Sequence, residues 1–292
     1  MNILVTGATG FVGAWLVRRL MTEHEVFCLT RSSGILPRHA RVHVVQQDLS
    51  VPLDHALLPS TMDVIVHLAQ SRQFRKFPDQ ALDIFRVNTD STLQLLEYGR
   101  RARIKTFVFA SSGGVYGYQS KPVLETDPPE IINFYLASKY SAECLVKSYG
   151  DYFSTVTLRY FFVYGEGQRN MFMPSLVERV LQGTPVVVAG KTGVSMNPVH
   201  AADAVEATAR AIQIEGQETI NVAGPEVTTV FDLAELIGRL TRKKPVYQFE
   251  PGGGPMAMVA NIEKMKFKLG VVPKVSLQEG LGRLILDMTG ER

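Results

Sequence analysis

Short apolar runs alternate with helical patterns through the first half of the chain. The runs at 2–6 (NILVT), 25–30 (EVFCLT), 42–46 (VHVVQ), 63–68 (DVIVHL), 105–110 (KTFVFA) and 155–160 (TVTLRY) are rich in Val, Ile and Phe and lack strict apolar–polar alternation. That is the signature of strands buried on both faces, and so of a parallel sheet. Between them, helical periodicity predicts helices over about 11–21, 80–102 and 133–149. Strand–helix alternation of this kind implies right-handed crossovers and a doubly wound α/β sheet.

Beyond residue 160 the texture changes. Loops lengthen at 161–172, 189–199 and 249–258, and helices are predicted over about 173–182, 201–213, 229–241, 261–268 and 276–288. Residues 1–165 are therefore expected to form the sheet domain, with 200–222 returning to it, and 166–292 a smaller substrate-facing lobe. "GGGP" at 252–255 is a loop breaker. "GKT" at 190–192 imitates the end of a phosphate loop, but position 185, where that motif needs glycine, is Pro185. It reads as a turn between strands.

Composition removes several function classes. With 292 residues, 46% of them hydrophobic, the chain can bury a sizeable core. A net charge of +3 gives no nucleic-acid footprint, and the short basic cluster "SRQFRK" at 71–76 is expected to be a solvated loop. No apolar run approaches the ~20 residues of a membrane span. "NILVTGATG" follows the first Met with no basic segment before it, so no signal peptide is expected and the protein is placed in the cytoplasm. Cys28 and Cys144 fit no metal spacing and are expected to be buried free thiols; no metal is expected.

The stretch "TGATGFVG" joins the first strand to the first helix with Gly7, Gly10 and Gly13 spaced G-x-x-G-x-x-G. Such a turn must be tight, let the backbone approach a pyrophosphate, and pack the helix close to the strand. The helix N-terminus then binds the anion with its N–H groups and dipole. Gly7, Thr9, Gly10, Phe11, Val12 and Gly13 are the expected phosphate cradle of a Rossmann-type dinucleotide site. The second strand ends in Arg31, Ser32 and Ser33, where an NAD site usually carries an acidic residue. A forked guanidinium suits a phosphate, so NADP(H) is expected in preference to NAD(H); stacking of Arg31 on adenine is the alternative. Asp48 and Leu49, after the third strand, are expected near the adenine, although Asp48 could equally cap a turn.

"YLASK" places Tyr135 and Lys139 four residues apart, on one helical face. Ser112, in "SSGGVYG", stands at the C-terminal end of a sheet strand, the edge where ligands bind in open α/β sheets. Together they form a proton-relay set. Tyr135 exchanges a proton with a substrate oxygen, and Ser112 holds that oxygen. Lys139 fixes the nicotinamide ribose. A free tyrosine needs a downward shift of about 3 pKa units, roughly 4 kcal/mol, to work near neutral pH. The Lys139 ammonium and a positive nicotinamide ring are the expected sources. No histidine base belongs to Ser112, so it is not a nucleophile. Tyr116 lacks a lysine four residues on and is expected to pack beside the pocket.

With these residues the chain resembles the extended short-chain dehydrogenase/reductase family, in its nucleotide-sugar epimerase/dehydratase branch. "VIVHLA" resembles the family's fourth strand, which implies His67, Leu68 and Ala69 near the cofactor. "VNTDSTLQLLEYGRR" is similar to its V-N-x-x-G-T-x-x-L-L-E helix, which implies Asn88 near the active site. "SSGGVYG", "YLASK", "LRYFFVYGEGQ", "PVHAADAVEA", "INVAGPE" and "LGVVPKVSLQEGL" match further family segments. The resemblance implies a hydride moved to and from C4 of a nucleotide-activated hexose, and dimerisation through the helices at 80–102 and 133–149.

Three departures narrow it. Family dehydratases carry an Asp-Glu pair where this chain has Gly113 and Gly114, so a 4-epimerase or 4-ketoreductase is expected rather than a 4,6-dehydratase. Phe162 replaces an asparagine, and Met196 an arginine that often partners the diphosphate; Arg169 or Arg72 could substitute. Gly113, Gly114, Phe162, Arg169 and Met196 are accordingly the expected substrate-facing positions. Two other readings stand beside this one: an NADPH-dependent reductase of a non-nucleotide carbonyl, and a non-catalytic dinucleotide-binding protein.

Overall fold

The computed structural model describes residues 1–32, 36–252 and 256–290. Ser33 and the end of the "GGGP" breaker lie outside the described residues. From the N-terminus the chain forms β1 (Asn2–Thr6), α1 (Phe11–Leu20), β2 (Glu25–Thr30), β3 (Val42–Gln46) and β4 (Val64–His67). Then come α2 (Ala81–Phe85), α3 (Ser91–Ala102), β5 (Thr106–Ser112), α4 (Phe134–Ser148) and β6 (Ser154–Tyr160). The second half forms α5 (Phe172–Gln182), β7 (Val186–Ala189), β8 (Ser195–Met196), α6 (Ala201–Ala211) and β9 (Gln217–Val222). It ends with β10 (Thr228–Thr229), α7 (Val230–Thr241), β11 (Tyr247–Glu250), β12 (Ala257–Met258), α8 (Glu263–Leu269) and α9 (Leu277–Thr289).

Seven strands make one parallel sheet in the order β3-β2-β1-β4-β5-β6-β9. The winding direction reverses between β1 and β4, which opens a crevice at their C-terminal ends. Central strands are buried along their length, β4 at every residue, as unalternating apolar runs require. Successive side chains serve opposite faces. Ile3, Val5, Val64 and Val66 pack with Leu16 and Leu20 of α1 and Ala204 of α6. Leu4 and Ile65 pack with Leu95 and Leu96 of α3 and with Ala142 and Val146 of α4. A separate core, built from α5, α7, α9, β7 and β8, holds the C-terminal lobe together.

Two expectations change. The helix at 80–102 is not one α-helix: a π-helical turn, Arg86–Asp90, separates α2 from α3. Side-chain hydrogen bonds to backbone carbonyls accompany it, from Ser91 to Val87 and from Thr92 to Asn88. Among the cysteines, Cys28 is buried but Cys144 is exposed, because α4 turns that residue away from the sheet. "GKT" does form the turn between β7 and β8. No described helix is long and apolar enough to cross a membrane.

Candidate active site

The crevice deepens into a cavity of about 1280 Å³. One wall is the glycine loop. Gly7 has φ +66°, and a Cβ there would lie 2.8 Å from the Ala69 backbone nitrogen. A Cβ on Gly13 would come within 2.1 Å of the Gly7 carbonyl oxygen. These two positions admit only glycine, since β1, α1 and the end of β4 meet there backbone to backbone. The first turn of α1 has neither a side-chain cap nor an acidic residue. Its N–H groups, with the dipole behind them, suit a phosphate. Thr9, Gly10, Phe11 and Val12 line the same wall, and Leu68 and Ala69 close it from β4.

Arg31, Asp48 and Leu49 line the far end of the cavity. Ser32 is exposed beside Arg31, its carbonyl accepting from Thr30 Oγ1 at 2.9 Å. Asp48 faces the cavity and also caps a turn, accepting from the Ser50 N–H at 2.9 Å. The glycine loop, the uncapped helix end and this channel together fit a dinucleotide.

Ser112 and Tyr135 meet at the inner end. Ser112 terminates β5 and accepts from the Gly114 N–H at 3.1 Å. Tyr135 is in the first turn of α4, whose N-cap Asn133 accepts from the Leu136 N–H at 2.9 Å. The cap sets where the helix begins, and so where Tyr135 stands. Burial pushes the Tyr135 phenol up to about 12, against the pull of a hydrogen bond with Ser112. The lowering expected from Lys139 is not realised in this arrangement. Lys139 is itself only 2% exposed, and burial holds its amine at about 7. It lies one helical turn behind Tyr135, with Nζ 4.5 Å from the Phe109 ring centroid.

Of the expected site residues, Ser32, Asn88, Gly113, Lys139 and Met196 do not line the cavity. Asn88 is fully buried inside the π-helical turn, where it accepts from the Ser71 N–H at 2.8 Å and donates to Ser138 Oγ at 2.9 Å. It braces α4 at the residue before Lys139. Gly113 is buried under the Phe161 ring. Met196 is 1% exposed, because β8 is the middle strand of the sheet β10-β8-β12 and its side chain packs into the lobe's core. His67, too, is buried: its ring bridges Thr6 Oγ1 at 2.6 Å and Thr92 Oγ1 at 3.0 Å, and burial holds it neutral, near 3.

Gly114, Phe162 and Arg169 do line the cavity. Phe162 sits at φ +45°, a left-handed conformation that asparagine adopts more readily than an aromatic residue. Its ring packs against Phe172 at a centroid distance of 6.0 Å. Arg169 is engaged by Asp287 of α9 at 2.7 Å, and Arg72 is exposed at the rim. Tyr116 packs beneath, 1% exposed, its hydroxyl donating to Asn221 at 2.9 Å.

Sequence reasoning missed Gln70 and Phe74. The Tyr135 hydroxyl donates to Gln70 Oε1 at 3.0 Å, and the Phe74 ring lies 5.2 Å from that of Tyr135. Gln70 stands three residues past the end of β4, at the reversal point of the sheet, which was its one available signal.

A family model described as the NAD dependent epimerase/dehydratase family matches residues 3–223. This chain belongs to that family. A Bacillus subtilis relative named as an uncharacterized UDP-glucose epimerase is 31% identical over 304 residues, covering 96% of each chain. The fold superposes on a Bacillus cereus UDP-glucuronic acid 4-epimerase, solved with UDP-glucuronic acid and NAD, with a TM-score of 0.90, 27% identity and full coverage of both chains. A Thermotoga maritima UDP-glucose 4-epimerase, solved with UDP-glucose, gives a TM-score of 0.86 at 28% identity, with 99% of each chain covered. The epimerase/dehydratase match spans the glycine loop, Ser112, Tyr135 and Lys139 alike.

Proposed function

We propose that the protein is a 4-epimerase of a UDP-activated hexose that uses NAD. The observation that carries this reading is the meeting of Ser112 and Tyr135 at the inner end of a cavity walled by the glycine loop. Bound nicotinamide supplies the acceptor and donor of a hydride at C4. The chain's own residues handle the proton. Tyr135 would take it from the C4 hydroxyl as a phenolate, once the positive charge of a bound nicotinamide offsets the burial that raises its pKa, and later return it; Ser112 holds the same oxygen, and Lys139 supports the pair from behind. The glycines at 113 and 114 offer no acid and base for eliminating water, which favours epimerisation over 4,6-dehydration.

NAD is favoured over the NADP suggested by Arg31, because the Bacillus cereus relative is described with NAD. Arg31 at the channel's far end leaves NADP(H) as the competing choice. We further propose a dinucleotide-binding domain over 1–165 and a substrate lobe over 166–292. The working state is a cytoplasmic homodimer formed through α2 and α3, which leave Leu82, Phe85 and Leu93 exposed.

The test is incubation with UDP-glucose and UDP-glucuronate, following C4 inversion by NMR. Epimer should accumulate without net cofactor consumption, and Tyr135→Phe should lower kcat by about 10²–10⁴-fold. Full turnover by that variant, or stoichiometric oxidation of NADPH, would overturn the reading.

A further inference from the structure

We propose that Glu143 is a positioning residue for the proton-handling set: its carboxylate supplies the fixed negative charge facing Lys139 and ties the helix of Tyr135 and Lys139 to the strand of Ser112. This rests on the role proposed for that set.

Tyr135, Lys139 and Glu143 follow one another at intervals of four on α4 and so share a face. Glu143 is buried and held from two strands. Ser111 of β5 donates to its Oε1. Arg159 of β6 grips it through Nε, at 3.1 Å and 3.2 Å from the two oxygens, and through Nη2 at 2.6 Å from Oε2. Ser111 and Arg159 are register partners across β5 and β6, and Ser111 immediately precedes Ser112. The carboxylate therefore fixes α4 against the strand ends that carry the site. Arg159 is held in turn, its guanidinium 4.5 Å over the Tyr116 ring, whose hydroxyl is bound by Asn221 of β9.

Stability alone does not account for this cluster, since a buried ion pair rarely outperforms well-packed apolar residues. Its position relative to Lys139 supplies a reason. The groups facing that amine are Tyr135 and Glu143 from α4, His67 from β4 and the Phe109 ring from β5. His67 is neutral. Burial drives Lys139 toward the free amine, and the charge of Glu143 opposes it. Without that charge Lys139 would lose its proton at lower pH, and with it the grip on a cofactor ribose.

Replacing Glu143 alone strands a buried guanidinium, so the informative variant is Glu143→Gln with Arg159→Met, beside Glu143→Asp, which keeps the charge. NAD affinity is read across pH 6–9 by quenching of Trp15, the single tryptophan, which lines the cavity. In the double variant the alkaline loss of affinity should move about one pH unit lower, an approximately tenfold weaker affinity on that limb. At pH 6 it should bind within about twofold of wild type. Glu143→Asp should keep the wild-type limb. If the double variant does not fold, Glu143→Gln with Arg159→Gln, which keeps hydrogen-bonding groups and removes both charges, makes the same comparison. A wild-type pH profile in the charge-free variant overturns the proposal. Wild-type protein that binds NAD but inverts no UDP-hexose overturns the epimerase reading and leaves this one standing.

Discussion

The Phe161 ring occupies the space that a side chain at Gly113 would need. A Cβ there would lie 2.4 Å from two of the ring's carbons, and the ring is 1% exposed, with little room to yield. Gly113 is where the resemblance places the first residue of a dehydratase's Asp-Glu pair. Gly113→Asp is therefore expected to introduce no dehydration and to destabilise the fold by about 1–3 kcal/mol through overpacking. Urea denaturation measures the loss, and the absence of a 4-keto-6-deoxy product completes the check.

Lys139 is the residue whose removal should separate stability from activity. Its pKa in the fold, about 7, is below the 10.5 of an ordinary lysine. Between those values the unfolded chain binds more protons, so stability rises with pH across that window; below it the full cost of a buried ammonium is felt. Lys139→Met should remove this slope, about 1.4 kcal/mol per pH unit, and raise the stability at pH 6–7. Turnover should nevertheless collapse. Thermal unfolding across pH 6–10 beside the epimerase assay tests both halves.

Arg31 should decide tolerance for the 2′-phosphate rather than binding of the dinucleotide. NAD is expected to bind more tightly than NADP. Arg31→Ala should weaken NADP by about tenfold, the worth of a charge-assisted hydrogen bond, and leave NAD within about twofold. Calorimetric titration with both dinucleotides reads this directly. Tighter binding of NADP to the wild type would reverse the choice of cofactor.

Leu82 is 69% exposed and Phe85 49% exposed on neighbouring turns of α2. Changing both to glutamate should give a monomer by light scattering, because charge at the centre of an apolar interface opposes association. Neither side chain lies in a core, so the monomer should stay folded, its thermal midpoint losing the concentration dependence that association confers.

Much of this molecule was legible from local pattern. Six of the sheet's seven strands are rich in apolar residues, so their runs stand out, and each was located to within two residues. The glycine loop was legible because backbone approach at Gly7 and Gly13 excludes every other residue type. Tyr135 and Lys139 were legible from helical spacing. What the pattern could not say is which way a side chain faces once the layers are packed. Asn88 turns inward because a π-helical turn rotates it onto Ser138, and Met196 does so because β8 is a central strand.

The chain's order of apolar runs, tight glycines and spaced polar residues thus determined the sheet, the glycine loop and the placing of Tyr135 and Lys139 on one helical face. Tertiary structure alone decided the rest. Gln70 reaches Tyr135 across 65 residues, and Arg159 reaches Glu143 across two elements. Phe161 closes the space at Gly113. Each depends on how β4, β5, β6 and α4 are spaced after packing, a distance that no local periodicity encodes.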